Sequence, residues 1–145
     1  MQVVERSVIV PFLPAQMFAL VNDVPRYPEF LPWCVGAHSE AAADGAVLAT
    51  VKVHKGLLRT HFTTRNTLDG GARILMQLVD GPFHELRGEW RFEAIADRGS
   101  CVNFRVEFEF KSRLAAATMG SVFETVCAAM VEAFAQRARD LYGAG

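Results

Sequence analysis

Leu86-Arg87-Gly88-Glu89-Trp90-Arg91-Phe92-Glu93 and Val102-Asn103-Phe104-Arg105-Val106-Glu107-Phe108-Glu109-Phe110 decide how this chain folds. Both alternate between apolar and polar residues, the period of a strand with one face in a core and the other in water. Asp97-Arg98-Gly99-Ser100 between them is a turn-forming cluster, so the two strands pair as an antiparallel hairpin. In that pairing Leu86, Trp90 and Phe92 face the interior. On the outer face Arg87 and Arg91 can meet Glu107 or Glu109 across the strands.

The same signals repeat outward from this hairpin. Phe62 to Leu68 and Arg73 to Val79 flank Asp69-Gly70-Gly71, a second hairpin signature, and Val47 to Val53 also alternates. Val3 to Val10 reads as a strand, and Val35 to Glu40 gives a fainter one, for about seven in all. Helical spacing replaces alternation in two places. Met119, Val122, Phe123, Val126, Met130, Phe134 and Leu141 recur at three- and four-residue steps, which predicts one helix from about Leu114 to Tyr142. Pro14 can open a short helix carrying Met17, Phe18, Leu20 and Val21, which Asn22-Asp23-Val24-Pro25 ends, and a further turn runs through Arg26 to Phe30. The order predicts an α+β helix-grip: a curved antiparallel sheet of about seven strands around a long C-terminal helix, with short helices after the first strand and room for a cavity.

Composition sets bounds on function. The 145 residues suit one domain, 1–145, able to bury about two thirds of its unfolded surface. Fifteen basic and sixteen acidic residues leave a formal charge of −1, so no global field draws in DNA or anionic lipid, and such contacts need a local patch. Cys34, Cys101 and Cys127 are odd in number and form no C-x-x-C, which fits a reducing cytoplasm rather than a disulfide framework or zinc knuckle. Purely apolar runs are far shorter than the roughly 20 residues of a membrane span, so no transmembrane segment is expected.

Tyr27-Pro28-Glu29-Phe30-Leu31-Pro32-Trp33-Cys34, Phe62-Thr63-Thr64-Arg65-Asn66, Leu78-Val79-Asp80-Gly81-Pro82-Phe83 and Gly88-Glu89-Trp90-Arg91-Phe92 occur in an order that resembles the START-like coenzyme Q-binding or polyketide cyclase/dehydrase proteins. The likeness is strongest to their bacterial RatA branch and runs from Val4 to the terminal helix. It implies the helix-grip fold, a hydrophobic cavity and ubiquinone or another isoprenoid lipid as candidate ligand, in support of respiration. For the RatA branch it implies association with the large ribosomal subunit that blocks subunit joining. It implies no catalytic residues.

The residues agree on that last point. No G-x-S-x-G, H-E-x-x-H, G-x-G-x-x-G or P-loop occurs, and His38, His54, His61 and His84 have no metal-ligand spacing. Asp80 and His84 flank Gly81-Pro82 and are the nearest approach to an acid/base pair, although Asp80 reads more simply as a turn cap. A binding protein is expected, with no catalytic residues, no metal and no cofactor apart from a bound ubiquinone or isoprenoid.

The candidate cavity follows from strand alternation. With Trp90 inward, Phe62, Thr64 and Asn66 share one face of their strand, and Met76 and Leu78 share one face of the next. Phe30, Trp33, Phe104, Met119, Phe123 and Met130 complete the candidate lining. Thr64 and Asn66 stand out because an unpaired polar group among apolar neighbours costs about 1–3 kcal/mol, so each must bond to protein, water or a ligand head group. A bulge could still invert that strand's faces. Lys52, Lys55, Arg59 and Arg65, with His54 and His61 between them, form a local basic stretch able to meet phosphates of RNA or lipid. The aromatic and proline-rich loop Tyr27 to Trp33 is a lid, a tip for peripheral membrane contact or a plug of the core.

Overall fold

The computed structural model describes residues 1–143. Strand β1 (Gln2–Val10) leads through helix α1 (Pro14–Asn22) and a 3-10 helix (Val24–Glu29) to β2 (Cys34–Ala41). Five further strands follow, β3 (Val47–Lys55), β4 (Leu58–Asp69), β5 (Arg73–Asp80), β6 (Phe83–Ile95) and β7 (Gly99–Phe110), and helix α2 (Arg113–Tyr142) ends the chain. The strands form one antiparallel sheet in the order β1-β7-β6-β5-β4-β3-β2. Because β1 closes on β7 while β2 lies at the far edge, α1 and the 3-10 helix must cross one end of the sheet.

The deciding hairpin forms as its alternation predicts. Leu86↔Phe108, Trp90↔Phe104 and Phe92↔Val102 pair across β6 and β7, and all six side chains are buried. Arg87 reaches Glu107 at 2.7 Å on the outer face. Arg91 does not cross to a glutamate: it stands opposite Asn103 and ion-pairs with Glu89 of its own strand at 3.0 Å. Between β4 and β5, Gly70 and Gly71 have φ of +58° and +74°, a left-handed pair that side chains with a Cβ rarely adopt.

Ser112 caps α2, its hydroxyl accepting the Ala115 N–H at 3.0 Å. The buried seam of α2 is Gly120, Phe123, Val126, Cys127, Val131, Phe134, Ala135 and Ala138. The predicted stripe differs at its C-terminal end, where Leu141 is 53% exposed. There the small Ala135 and Ala138 face inward instead. By length and composition alone, α2 contains a stretch long and apolar enough to cross a membrane, a property it shares with core helices. Its inner face is the seam gripped by the sheet.

Loop Tyr27 to Trp33 proves to be a plug. Tyr27, Leu31 and Trp33 are buried, and the Tyr27 hydroxyl donates to the Val21 carbonyl. The plug is tied to the sheet where the His54 N–H donates to the Trp33 carbonyl at 2.9 Å.

Candidate ligand cavity and basic sheet face

Between α2 and the concave face of the sheet lies a cavity of about 80 Å³. Alternation aims Ala49, Val51 and Val53 of β3 at it, opposite Thr64 and Phe62 of β4. Met76 of β5, Leu86 and Trp90 of β6, and Phe104 and Val106 of β7 continue the wall, and Phe123, Val126, Cys127 and Met130 of α2 close it. Val24 of the 3-10 helix, with Tyr27 and Trp33 of the plug, seals one end. Trp90 stacks on Phe104 at 4.4 Å between ring centroids and meets Phe134 edge-on at 5.3 Å.

Thr64 and Asn66 give the wall a polar spot. Thr64 Oγ1 donates to Asn66 Oδ1 at 2.7 Å, and both residues are buried. This bond answers the cost of burying either group alone. The ionisable groups on the wall are Tyr27 and Cys127. Burial, aided by Cys34 and Asp23, pushes the Tyr27 phenol well above its usual value. Burial, aided by Glu124, pushes the Cys127 thiol up to about 12. Neither is an anionic base near neutral pH.

Nine of the twelve predicted lining residues meet here: Trp33, Phe62, Thr64, Asn66, Met76, Trp90, Phe104, Phe123 and Met130. Three do not. Phe30 leaves the 3-10 helix half-buried, its ring against Phe134 at 5.2 Å and beneath Arg137 at 4.9 Å. Leu78 precedes a register shift opposite Thr63 and Thr64 and packs near the Gly81 turn. Met119 lies one turn before Phe123, where Phe83, Phe108, Phe110 and Phe123 fill the interior with aromatic contacts of 4.8–6.2 Å. That register shift leaves the faces of β4 as alternation set them. Phe83, the hub of this cluster, lies outside the alternating segments that mark the core in sequence, and its place just after Gly81-Pro82 at a strand start is the signal for it.

On the outer face of the sheet, register pairs Lys52 with His61 and His54 with Arg59, and Arg59 Nε lies 3.1 Å from His54 Nε2. Lys55 pairs in register with buried Leu58 and so stands at the hairpin end, off that face. Arg65 is not a free cation, because it is ion-paired with Asp44. Asp80 and His84 are exposed outside the cavity, and the described residues hold no cluster of three metal-ligating groups.

A seven-stranded antiparallel sheet gripping one long helix over a small apolar cavity defines the START-like, helix-grip class. Residues 10–135 match the family described as polyketide cyclase / dehydrase and lipid transport, and the chain belongs to it. It is 44% identical over 143 residues to the ribosome association toxin RatA of Vibrio cholerae, covering 99% of each chain. It is 42% identical over 140 residues to RatA of Pseudomonas aeruginosa, covering 97% of each. The mitochondrial coenzyme Q-binding protein of Drosophila melanogaster is 31% identical over 127 residues, which span 85% of this chain and 52% of that one. The crystal structure of Zhui aromatase/cyclase from Streptomyces superposes with a TM-score of 0.86 at 18% identity, covering 99% and 96% of the two chains. At that identity the likeness concerns the fold. The solution structure of an 18 kDa Caulobacter crescentus protein is 35% identical with a TM-score of 0.78, covering 99% and 100%.

Proposed function

We propose that this protein is a cytoplasmic, non-enzymatic ribosome-association factor of the RatA type, which binds the large subunit and hinders its joining to the small one. The observation that carries this reading is the match to RatA proteins at 41–44% identity over 97–99% of the chain. The cavity supports a binding role over an enzymatic one, since the described residues of its wall offer no carboxylate, imidazole or amine for proton transfer. Sedimentation of the purified protein with separated ribosomal subunits tests it: the protein should travel with large subunits and not with small ones. Absence from both fractions would refute the reading.

The second reading is binding of ubiquinone or a related isoprenoid lipid, favoured by the apolar wall with its Thr64–Asn66 spot and by the likeness to a coenzyme Q-binding protein. Size weighs against it as the cavity stands. A dry cavity of about 150 Å³ admits benzene. This one has about half that volume, so an isoprenoid tail requires the plug or α2 to move. A bound quinone would lie beside Trp90 and quench its fluorescence, and Met76→Glu would abolish the quenching by setting an unpaired carboxylate in the wall. No quenching in the wild type would reject this reading.

A further inference from the structure

The two halves of the sheet's outer face treat their cations differently. On β5 to β7 the arginines are matched. Arg73 pairs with Glu89, Arg87 with Glu107, Arg91 with Glu89, and Arg105 with Glu5 and Glu107. On the β3–β4 hairpin Arg65 is matched by Asp44, but the cations nearer the hairpin tip are not. Lys52 and Arg59 have no carboxylate partner among the described residues and are exposed, and His54 and His61 stand beside them on the same face.

Register gives the patch its size. His54↔Arg59 and Lys52↔His61 are neighbouring rows, about 6.7 Å apart along the strands and about 4.8 Å across them. Two cations and two imidazoles, with Arg59 donating to His54, thus stand over an area the size of two cross-strand pairs. The nearest acids in the lattice of the sheet are Asp80, opposite Thr63 one row and one strand away, and Glu40, opposite Leu48 two rows away. His38 lies in the intervening row, opposite Thr50.

We propose that this outer face of the β3–β4 hairpin, centred on Lys52 and Arg59, docks on the phosphodiester backbone of folded RNA. The proposal rests on the ribosome-association reading and names the surface and the partner chemistry. Unmatched cations in a chain of net charge −1 match a polyanion locally and leave the remaining surface unattractive to it. Register places no Phe, Tyr or Trp on the outer face of β2 to β5, so unstacked bases have no aromatic platform there. Recognition is then of backbone and shape, as for helical RNA. Apart from Lys55 beside the exposed Leu57 at the hairpin tip, the cations occupy the broad face, which favours RNA over insertion of the tip into a lipid surface.

The test compares the wild type with a Lys52→Gln/Arg59→Gln double variant and a conservative Lys52→Arg/Arg59→Lys variant, each shown by thermal melting to be folded. Probes are purified large ribosomal subunits, a 20-base-pair RNA duplex and vesicles containing anionic lipid, each at several salt concentrations. In the glutamine variant, binding to subunits and duplex should weaken and its log–log dependence on salt become shallower by about 2, equal to about tenfold less loss of affinity between 50 and 200 mM salt. The conservative variant should bind like the wild type. Subunit binding with unchanged affinity and salt slope in the glutamine variant overturns the docking surface and leaves the ribosome reading standing. Duplex binding that depends on Lys52 and Arg59, with no wild-type binding to subunits, upholds the surface and overturns the ribosome reading. Vesicle binding that depends on these residues, without duplex binding, overturns the proposal in favour of a lipid headgroup.

Discussion

Arg137 of α2 donates through Nη2 to Glu29 Oε1 at 2.7 Å and lays its guanidinium 4.9 Å from the centre of the Phe30 ring. One side chain thus fastens the plug to the core helix by charge and by cation–π contact. Arg137, and then Arg26, hold the Glu29 carboxyl below its usual range. A carboxyl with a lowered folded-state pKa contributes stability above its unfolded value, and that contribution is lost as pH falls through the folded one. The clamp should therefore hold at neutral pH and release in acid, below the ordinary value of 4.5. Hydrogen exchange at the Phe30 and Leu31 amides, which donate to the Tyr27 carbonyl at 3.2 and 2.9 Å, should quicken in Arg137→Met at neutral pH and in the wild type on acidification. Unchanged protection in both would remove the clamp from the account.

Trp90 is 2% exposed and sits between Phe104 and Phe134. Trp90→Ala should cost about 3–5 kcal/mol, much of the margin of a typical domain. A urea midpoint close to that of the wild type would show that the indole is not core.

Ser100 holds β7 to the segment after β1. Its fully buried hydroxyl donates to the Phe12 carbonyl at 2.9 Å. Ser100→Ala leaves that carbonyl without its partner and should destabilise by about 1–3 kcal/mol. Ser100→Cys, which keeps a weak donor, should lose less. Equal losses for the two variants would argue against the hydrogen bond.

Burial separates the cysteines. Cys34 and Cys127 are buried with their thiols raised above the ordinary range, whereas Cys101 is half-exposed on the outer face. Alkylation of the native protein near neutral pH should label Cys101 first, leaving the other two for the unfolded chain, since the reactive form is the accessible thiolate. Peptide mapping that finds Cys127 labelled early would mean that the cavity opens readily.

The fold was legible where one pattern dominated the local sequence. Trp90 inward and Arg91 outward followed from period two, and the long helix from its three- and four-residue spacing. What escaped depends on partners distant in sequence. Arg65 looked like a free cation until Asp44, 21 residues earlier, met it. Ala135 and Ala138 carry no strong hydropathy signal, so helical spacing points to Leu141 for the seam that they occupy. Strand parity places Thr64 and Asn66 on the cavity wall but carries no sign of the Phe134 contact that holds Phe30, of the register shift beside Leu78 or of the aromatic cluster next to Met119.

The proposed function requires that bound protein keep ribosomal subunits apart. Light scattering during mixing of purified subunits measures this directly. Large subunits preincubated with a stoichiometric excess of the protein should join small subunits more slowly and to a lower plateau, and added salt that releases the protein should restore joining. Joining with unchanged rate and plateau, at concentrations that saturate any binding to the large subunit, would contradict the account.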